Sequence, residues 1–291
     1  MSARGGDVHV LAVPYDSAHH ARRMGAGPMH LVACGLLERL RETGAGVDLR
    51  ELAPSSDSWI AEIGTAFDLD RQLARAVTEA RTRGAFPLTL AGNCITSVGT
   101  IAGLGPGTTG VLWFDAHGDL NTPETTVGGF LDGMALATVV GRCWRSLTAG
   151  VPGFTPVAEE NVVLVGERDL DPAEADLLAA SGVVHLRAED VATRLDSALE
   201  ALGRRVDQLY VHVDLDVLDE SEGRVNAYSG GPGLSRAELL AAIATAGRRC
   251  RVAGGAITAY DPGHDLDGRV GRTAIDVALA LSDAAASALP T

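Results

Sequence analysis

The segment GVLWFDAHGDLNT, residues 110–122, places two carboxylates and an imidazole at alternate positions directly after an apolar run. In an extended chain, alternate side chains point to the same side, so Asp115, His117 and Asp119 should converge at the end of one buried strand. A second set, Asp214 and Asp216, follows the apolar run LYVHV. Acidic groups that gather in one place repel one another unless a cation compensates their charge. The two motifs therefore predict a metal site.

The donor types indicate which ion this site would take, and other polar residues at strand ends have simpler interpretations. Carboxylates with one imidazole suit a hard to borderline ion such as Mn²⁺ better than zinc. Asp219 and Asp261 are predicted to be helix N-caps or turn formers. We interpret His212, which alternates onto the face of the second carboxylate set, as a core histidine, with a contact to a metal ligand as the alternative. His19 and His20 are expected to be solvated in a loop.

The elements that must position these groups are short β-rich runs separated by helical patterns. The runs are nearly continuous in hydrophobicity, as strands buried on both faces must be. Strands and helices in alternation predict an α/β fold with a parallel sheet and helices on both faces, and ligands bind at the carboxyl ends of such strands. The runs are VHVLAVPY from Val8, FPLTLAGN from Phe86, GVLWFDAH from Gly110, NVVLVGERD from Asn161, GVVHL from Gly182, LYVHVDLD from Leu209 and RVAGGAITAYD from Arg251.

Helix boundaries between these runs can also be read from local signals. The pair Asp171-Pro172 is predicted to open one helix. Ser235 and Glu238 form an S-x-x-E capping box ahead of another, which Gly247 is expected to end. Because no linker, low-complexity segment or repeat interrupts the alternation, we expect residues 1–291 to form a single domain.

Composition excludes several classes of function. The chain has 291 residues, of which 46% are hydrophobic, and a formal net charge of -14, which disfavours binding to nucleic acid or to an anionic membrane. Apolar runs end well short of the roughly 18 residues of a membrane helix, and the N-terminus lacks the features of a signal peptide. The four cysteines are scattered without C-x-x-C spacing, which argues against disulfides and structural zinc. These features predict a soluble, cytoplasmic protein.

With these residues in view, the sequence resembles the arginase-like ureohydrolases over nearly the whole chain. GAGP at 25–28, FPLTLAGN, WFDAHGDLNTPETT, LVGERDLDP and HVDLDVLD occur in the order and at the spacing of that family. The D-x-H-x-D and D-x-D pair is the specific part of the resemblance, and the other segments support it. The resemblance implies a three-layer α/β fold with a mostly parallel central sheet, assembly into homo-oligomers such as trimers or hexamers, and a two-manganese centre that activates water for attack on a guanidinium carbon.

The resemblance also implies roles for the converging residues. Asp115 and Asp214 would bridge the two metals, His117 and Asp216 would complete one site, and Asp119 would belong to the other. Asp119 would in addition hold or accept the proton of the attacking water.

The family's glycine-glycine-aspartate-histidine-serine motif reads AGNCI here, so the remaining ligand position is altered. Asn93 stands where the family has aspartate, and Cys94 stands where it has a histidine ligand. Cys94 could ligate as a thiolate, but an apolar, acidic pocket should raise its pKa and oppose thiolate formation. We therefore expect one well-held Mn²⁺, with the second site weak or empty.

Two further departures concern the substrate. Asp132 aligns with the family's catalytic histidine, and Ala259 aligns with the glutamate that grips the guanidinium group. Loss of that carboxylate removes a charge-assisted contact worth several kcal/mol, so arginine should be a poor substrate. Asn121 and Thr126 match residues that hold an α-carboxylate, and Asp171 matches one near the α-amine; turn chemistry and a helix cap are the alternative explanations.

A substrate with an N-hydroxylated guanidine would explain both observations. The residues that bind the α-carboxylate and α-amine are present, whereas the glutamate that binds the guanidinium group is absent. An N-hydroxylated guanidine is less basic than the guanidine of arginine, so it needs no glutamate to pair its charge. The residues NC and HGDLNTPETT are also similar to family members that hydrolyse N-hydroxyarginine in cycloserine biosynthesis, although Ala259 departs from these as well. The leading hypothesis is hydrolysis of N-hydroxy-L-arginine to L-ornithine and hydroxyurea in secondary-metabolite biosynthesis, with Asp119 and Asp132 as catalytic residues.

Two alternatives remain open. The chain could be an inactive binding or regulatory protein that keeps the ureohydrolase fold, an interpretation that Cys94, Asp132 and Ala259 favour. It could also hydrolyse another guanidino or amidino compound. A redox-sensing role for Cys94 is disfavoured, because a thiol among carboxylates is not readily activated.

Overall fold

Ten strands and ten α-helices alternate along residues 6–55 and 61–287, the part of the chain that the computed structural model describes. The strands are β1 (Val8–Val13), β2 (Tyr15–Asp16), β3 (His19–His20), β4 (Val47–Glu51), β5 (Phe86–Ala91), β6 (Thr109–Phe114), β7 (Val162–Val165), β8 (Val184–Leu186), β9 (Gln208–Asp214) and β10 (Val252–Thr258). The helices are α1 (Gly27–Ala33), α2 (Leu36–Glu42), α3 (Glu62–Thr82), α4 (Ser97–Gly103), α5 (Ala135–Val139), α6 (Arg145–Thr148), α7 (Pro172–Ala179), α8 (Val191–Gly203), α9 (Arg236–Arg249) and α10 (Arg269–Ala286).

Eight of the strands form one sheet with the order β4-β1-β5-β10-β9-β6-β7-β8. Its strand pairings are all parallel. Strands β1, β5, β9 and β10 are buried along their whole length, as strands covered on both faces must be. Each of the seven hydrophobic runs contains one sheet strand, so the predicted α/β fold is confirmed.

Two pieces of strand structure differ from the expectation. Strand β4 at the sheet edge was not predicted, because its sequence VDLRE is largely charged and mostly exposed. His19 and His20 are exposed, as expected, but they form β3, which pairs antiparallel with β2, rather than a loop.

Two hydrophobic cores lie on opposite faces of the sheet, and β6 contributes to both. Val111 and Trp113 pack into the core beneath α3, α4 and α5. Leu112 and Phe114 pack into the core beneath α1, α2, α8, α9 and α10. This alternation follows from the two-residue period of a strand, and it fixes the face from which each residue at the strand end must leave the sheet.

Helix ends agree with the sequence signals at two of three positions. Helix α9 begins with the predicted capping box of Ser235 and Glu238, and Asp171 occupies the N-cap of α7. Gly247, however, does not end α9, which continues to Arg249. A Cβ at Gly247 would lie 2.8 Å from the Cα of Ala284 in α10, so this glycine permits close approach of two helices instead of terminating one.

The fold brings the polar strand ends together. Strands β5, β10, β9 and β6 are neighbours in the sheet, and the two carboxylate motifs and the NC dipeptide follow three of them. Within the described ranges, no helix is both long enough and apolar enough to cross a membrane.

Candidate active site

A cavity of about 200 Å³ opens where the four central strands end. Eight of the ten residues predicted from the sequence to form the site line it, and Asp115 and Thr126 do not. Asp115 accepts a hydrogen bond from the backbone of His117, which lines the cavity. The eight are Cys94, His117, Asp119, Asn121, Asp132, Asp171, Asp214 and Asp216.

Asp115 is the first residue of the D-x-H-x-D motif and is only 1% exposed. The indole Nε1 of Trp113 donates to its Oδ2 at 3.0 Å, and the backbone N–H of His117 donates to its Oδ1 at 2.8 Å. The imidazole Nδ1 of His117 lies 3.2 Å from the same oxygen and 3.4 Å from Oδ2 of Asp216. Asp115, His117 and Asp216 thus bring three possible metal-ligating atoms together within 4.8 Å.

The second motif is fixed against the first by backbone hydrogen bonds. The N–H of Asp216 donates to Oδ1 of Asp214 at 2.8 Å, and the N–H of Ala116 donates to Oδ1 of Asp216 at 3.2 Å. The side chain of Asn226 donates to the carbonyl of Ala259 at 2.9 Å and lies 3.5 Å from Oδ2 of Asp216. Two strand ends and one loop therefore hold the carboxylates in place.

Asp119 occupies an unusual backbone conformation and lacks a partner for one of its oxygens. Its φ is 51°, in the left-handed region, which is uncommon for a residue other than glycine and is found at functional sites. The side chain is 5% exposed, and its Oδ2 has no hydrogen-bond partner within the described part of the chain. A buried carboxylate oxygen without a donor is costly unless a cation or a proton neutralises it.

The electrostatics of the cluster also fit a bound cation. Burial, together with the neighbouring carboxylates, raises the pKa of Asp115, Asp119 and Asp214 above the usual range. Burial disfavours a charged His117, but the carboxylates of Asp216 and Asp115 outweigh it and raise its pKa to about 10. Among the residues at 6–55 and 61–287 that line the cavity, there is no lysine or arginine. The donor set thus carries negative charge that the surrounding side chains do not balance.

Cys94 joins this cluster from the turn after β5. It is 2% exposed, its thiol donates to Oδ2 of Asp214 at 3.1 Å, and its sulfur lies 3.2 Å from the hydroxyl of Thr258. Burial first, and the surrounding aspartates second, raise its pKa well above the usual range. In the absence of metal, the side chain is therefore a neutral thiol.

Asp132 also lines the cavity and is tied to Asn93 and Ile95, the two residues that flank Cys94. The amide of Asn93 donates to Oδ2 of Asp132 at 2.9 Å and accepts from the backbone of Ser17 at 2.9 Å. The backbone N–H of Ile95 donates to Oδ1 at 2.9 Å. Burial raises the pKa of Asp132 to about 7 even though these hydrogen bonds favour the ionised form, and the charge of Asp16 adds to the rise.

The structure brings together only some of the residues predicted to bind the α-carboxylate and α-amine of the substrate. Asn121 donates to Oδ2 of Asp171 at 3.1 Å, and both line the cavity. Thr126 does not line it: its hydroxyl accepts from the backbone of Gly129 at 3.1 Å. The hydroxyl of Thr125 contacts Asn121 instead, at 3.0 Å.

Several residues that line the cavity could not be predicted from the sequence. Glu174 on α7 is 4% exposed and accepts from the backbone of Leu120 at 2.7 Å. Phe130 and Tyr228 come from different loops and stack at the cavity, with ring centroids 5.7 Å apart. Their shared location depends on loop packing, which hydrophobic periodicity does not report. Of the residues interpreted as turn formers, Asp219 and Asp261 do accept backbone hydrogen bonds, from Ser221 and Gly263, which confirms that interpretation.

Comparison with known proteins identifies this arrangement. Residues 6–283 match the family model described as "Arginase family". The arginase of Bacillus caldovelox is 31% identical over 232 residues, covering 74% of this chain and 77% of that protein. Arginase-1 of Homo sapiens is 30% identical over 242 residues, covering 76% of this chain and 74% of that protein.

Solved structures give the same result. An arginase from Bacillus subtilis superposes with a TM-score of 0.86 at 27% identity, covering 95% of this chain and 98% of that one. A formimidoylglutamase from the same species superposes with a TM-score of 0.76 at 20% identity, covering 100% of this chain and 89% of that one, and shares the fold. On the family match and these relatives, the chain belongs to the arginase family.

Proposed function

We propose that the protein is a metal-dependent hydrolase that cleaves a C–N bond of a guanidino amino acid, with N-hydroxy-L-arginine as the substrate and L-ornithine and hydroxyurea as the products. The observation that carries the proposal is the convergence of Asp115, His117, Asp119, Asp214 and Asp216 at one cavity within an arginase-family fold. The names of the relatives support hydrolysis of a guanidino group.

The donor set fits a divalent cation, as the unpartnered oxygen of Asp119 and the uncompensated charge indicate. Asp115, Asp214, His117 and Asp216 would hold the principal ion, for which we propose Mn²⁺. Asp119 and Cys94 would contribute to a second site that holds Mn²⁺ weakly. When bound, the ion lowers the pKa of water and so makes a nucleophile available near neutral pH.

The side chains of the protein supply the proton transfers. Asp119 accepts a proton from the attacking water, because it lines the cavity and its Oδ2 has no hydrogen-bond donor in the described chain. Water adds to the guanidine carbon, and the bond from that carbon to the side-chain nitrogen Nδ breaks. Asp132, with a pKa of about 7, is protonated in part of the population near neutral pH and donates to the departing nitrogen.

Substrate selection would divide between the two ends of the cavity. Asn121 and Asp171 bind the α-carboxylate and α-amine end, with Thr126 supporting their loop. At the other end, Ala259 leaves the guanidine group without a carboxylate partner, so a weakly basic N-hydroxyguanidine is preferred over arginine. The stacked rings of Phe130 and Tyr228 would cover the methylene chain and exclude water.

We further propose a setting for this activity. Residues 1–291 act as one domain in a cytoplasmic homo-oligomer, a trimer or hexamer, whose partner is the small-molecule substrate rather than nucleic acid or a membrane. The activity would serve secondary-metabolite biosynthesis, where hydroxyurea is a source of an N–O bond.

Product analysis by mass spectrometry tests the proposal. Purified protein with added Mn²⁺ should convert N-hydroxy-L-arginine to L-ornithine and hydroxyurea, with L-arginine, agmatine and other guanidino acids turned over more slowly. Asp119→Asn should abolish turnover, whereas Glu124→Gln, an exposed substitution in the same loop, should not. If none of these compounds is hydrolysed, the enzyme assignment is wrong. A compound that raises the melting temperature without being consumed would then support the binding protein.

A further inference from the structure

A second group of metal-ligating side chains lies on the Cys94 side of the cluster. Cys94, Asp115 and His212 are fully buried, and a sulfur, a carboxylate oxygen and an imidazole nitrogen from these three come within 4.8 Å of one another. They reach this point from the ends of β5, β6 and β9. His212 is the new member of the set, because the sequence favours its interpretation as a core histidine.

The ring of His212 is held so that one nitrogen is directed toward Cys94. Its Nδ1 lies 3.0 Å from the hydroxyl of Ser97 and 3.2 Å from that of Tyr210, and either oxygen can accept a hydrogen bond from it. Its Nε2 lies 3.3 Å from the hydroxyl of Thr258, which is itself 3.2 Å from the sulfur of Cys94. Metal-ligating histidines characteristically donate their other N–H in this manner, which leaves the ligating nitrogen unprotonated.

The ring cannot readily turn away from this position. It stacks on the indole of Trp113 with ring centroids 3.7 Å apart and an interplanar angle of 18°. Trp113 in turn donates to Asp115, so a single packed unit fixes His212 and Asp115 together. Such support from packing and outer hydrogen bonds is what a preformed metal site requires.

A separate observation favours a cation in this region. Oδ2 of Asp119 is buried and has no hydrogen-bond partner in the described chain, and Asp119 and Cys94 both line the cavity. An ionised carboxylate oxygen can only accept, and the lining residues nearby are themselves carboxylates or a weak thiol donor. A positive ion beside Cys94 would satisfy Asp119.

The donor chemistry differs from that of an all-oxygen manganese site. Thiolate and imidazole ligands favour Zn²⁺ and Co²⁺, whereas Mn²⁺ prefers carboxylate, carbonyl and water. Binding requires that the ion displace the thiol proton of Cys94 to solvent as the metal–sulfur bond forms. Mn²⁺ binds thiolate weakly, so a sulfur donor grouped with an imidazole at this position favours Zn²⁺ or Co²⁺.

We propose that Cys94, His212 and Asp115 form a site selective for Zn²⁺ or a similar borderline ion over Mn²⁺, so that the centre holds two different metals. This inference rests on the proposed function only in taking the neighbouring site, with His117 and Asp216, to hold Mn²⁺. It replaces the view of a damaged manganese site with that of a site built for another ion.

Cobalt spectroscopy tests the site without reference to turnover. Metal-free protein loaded with Co²⁺ should show a near-ultraviolet thiolate-to-cobalt charge-transfer band. Cys94→Ser, which preserves the size of the side chain, should lack the band, whereas Cys143→Ser, at a buried thiol outside the site, should retain it. His212→Gln should weaken Co²⁺ binding at this site at least about tenfold and alter the ligand-field bands. Bound cobalt without the band, or a band that persists in Cys94→Ser, would overturn the proposal.

Two further measurements keep the result independent of variant folding. X-ray absorption of the zinc-loaded wild-type protein should show one sulfur at about 2.3 Å and at least one nitrogen at about 2.0 Å; a shell of oxygen and nitrogen alone would contradict the site. Under manganese alone, Cys94→His should take up one more ion per chain than the wild type, and unchanged uptake would show that sulfur is not what excludes manganese. A wild-type protein that binds no metal at all would overturn the proposed function as well.

Discussion

Asp132 is the residue that we propose as the general acid, in place of a histidine. It lies at the position where the resemblance places a histidine, and burial gives its carboxyl group a pKa of about 7, close to that of an ordinary imidazole. The hydrogen bond from Asn93 explains a second departure, because an aspartate at 93 would face Asp132 with a like charge. The two changes are therefore physically compatible as a pair.

Asp132→Asn should lower kcat by about 100-fold, because the amide cannot donate an acidic proton to the leaving nitrogen. In the wild type, kcat should fall as the pH rises through about 7, and this limb should be absent in the variant. A pH–rate profile on N-hydroxy-L-arginine measures both effects. The exposed Glu124→Gln serves as a control and should retain the fall in kcat above about pH 7. If Asp132→Asn also retains this fall, the titration belongs to another group.

Ala259→Glu should make cationic guanidines better substrates. Position 259 lines the cavity with a φ of 62°, so glutamate meets the same backbone cost as alanine and adds a carboxylate. Recovery of about 1.4 kcal/mol, a part of the full charge-assisted contact, would lower KM for L-arginine about tenfold. Steady-state kinetics of Ala259→Glu and the uncharged Ala259→Gln measure this. An equal improvement in both variants would show that size, rather than charge, limits arginine.

The ligand candidates could be predicted because strand alternation is a local property. Asp115, His117 and Asp216 follow apolar runs at a period of two, and the structure places them together. His212 shares that period, yet its surroundings of Ser97, Tyr210 and Trp113 come from separate elements. The structure buries His212 completely, which agrees with the core interpretation, and no local pattern encodes the metal-ligating atoms that lie near it in three dimensions.

Gly247 illustrates the same limit at the level of elements. A glycine near the end of a helical pattern predicts a terminus, and that prediction was wrong because α10 packs directly against this point of α9. The charged edge strand β4 was missed for a related reason: its exposed side chains lack the apolar run by which the buried strands were recognised. Buried strands and capped helices were predictable, whereas close packing and edge strands were not.

Gly247→Ala should destabilise the protein, against the direction that helix propensity predicts. Propensity favours alanine by about 1 kcal/mol, but its methyl group would meet the Cα of Ala284 at 2.8 Å. Overpacking of this kind costs about 1–3 kcal/mol, so the midpoint of urea unfolding should decrease. Arg248→Ala, an exposed change on the same helix, should have little effect. A higher midpoint for Gly247→Ala would show that the two helices separate at low cost.

For the whole molecule, the acidic cluster links stability to both pH and metal. The folded pKa of Asp132, about 7, and that of His117, about 10, lie above the ordinary values of 3.8 and 6.5. Their contributions are complete below those ordinary values and are lost as the pH rises through the folded values. The stability of the metal-free protein should therefore fall between about pH 4 and about pH 7 through Asp132, and between about pH 6.5 and about pH 10 through His117.

Mn²⁺ should therefore raise the melting temperature more at about pH 8.5 than at about pH 6, because the ion replaces protons that are already leaving. Calorimetric scans at both pH values, with and without Mn²⁺, measure this difference. His185→Gln, which alters a histidine paired with Glu167 outside the cluster, should keep the pH dependence. An equal rise in melting temperature at the two pH values would show that metal binding does not depend on the titration of these groups.

The strand order has a consequence for how the molecule tolerates partial opening. The site draws on β5, β6, β9 and β10, which occupy the middle of the sheet, whereas β4 and β8 form its margins. Margins fray first, and their amide protons should exchange with solvent quickly while those of β9 and β10 remain protected. Local unfolding or mutation of either edge strand would then leave the active site intact. The sequences of β4 and β8 can therefore vary without loss of activity.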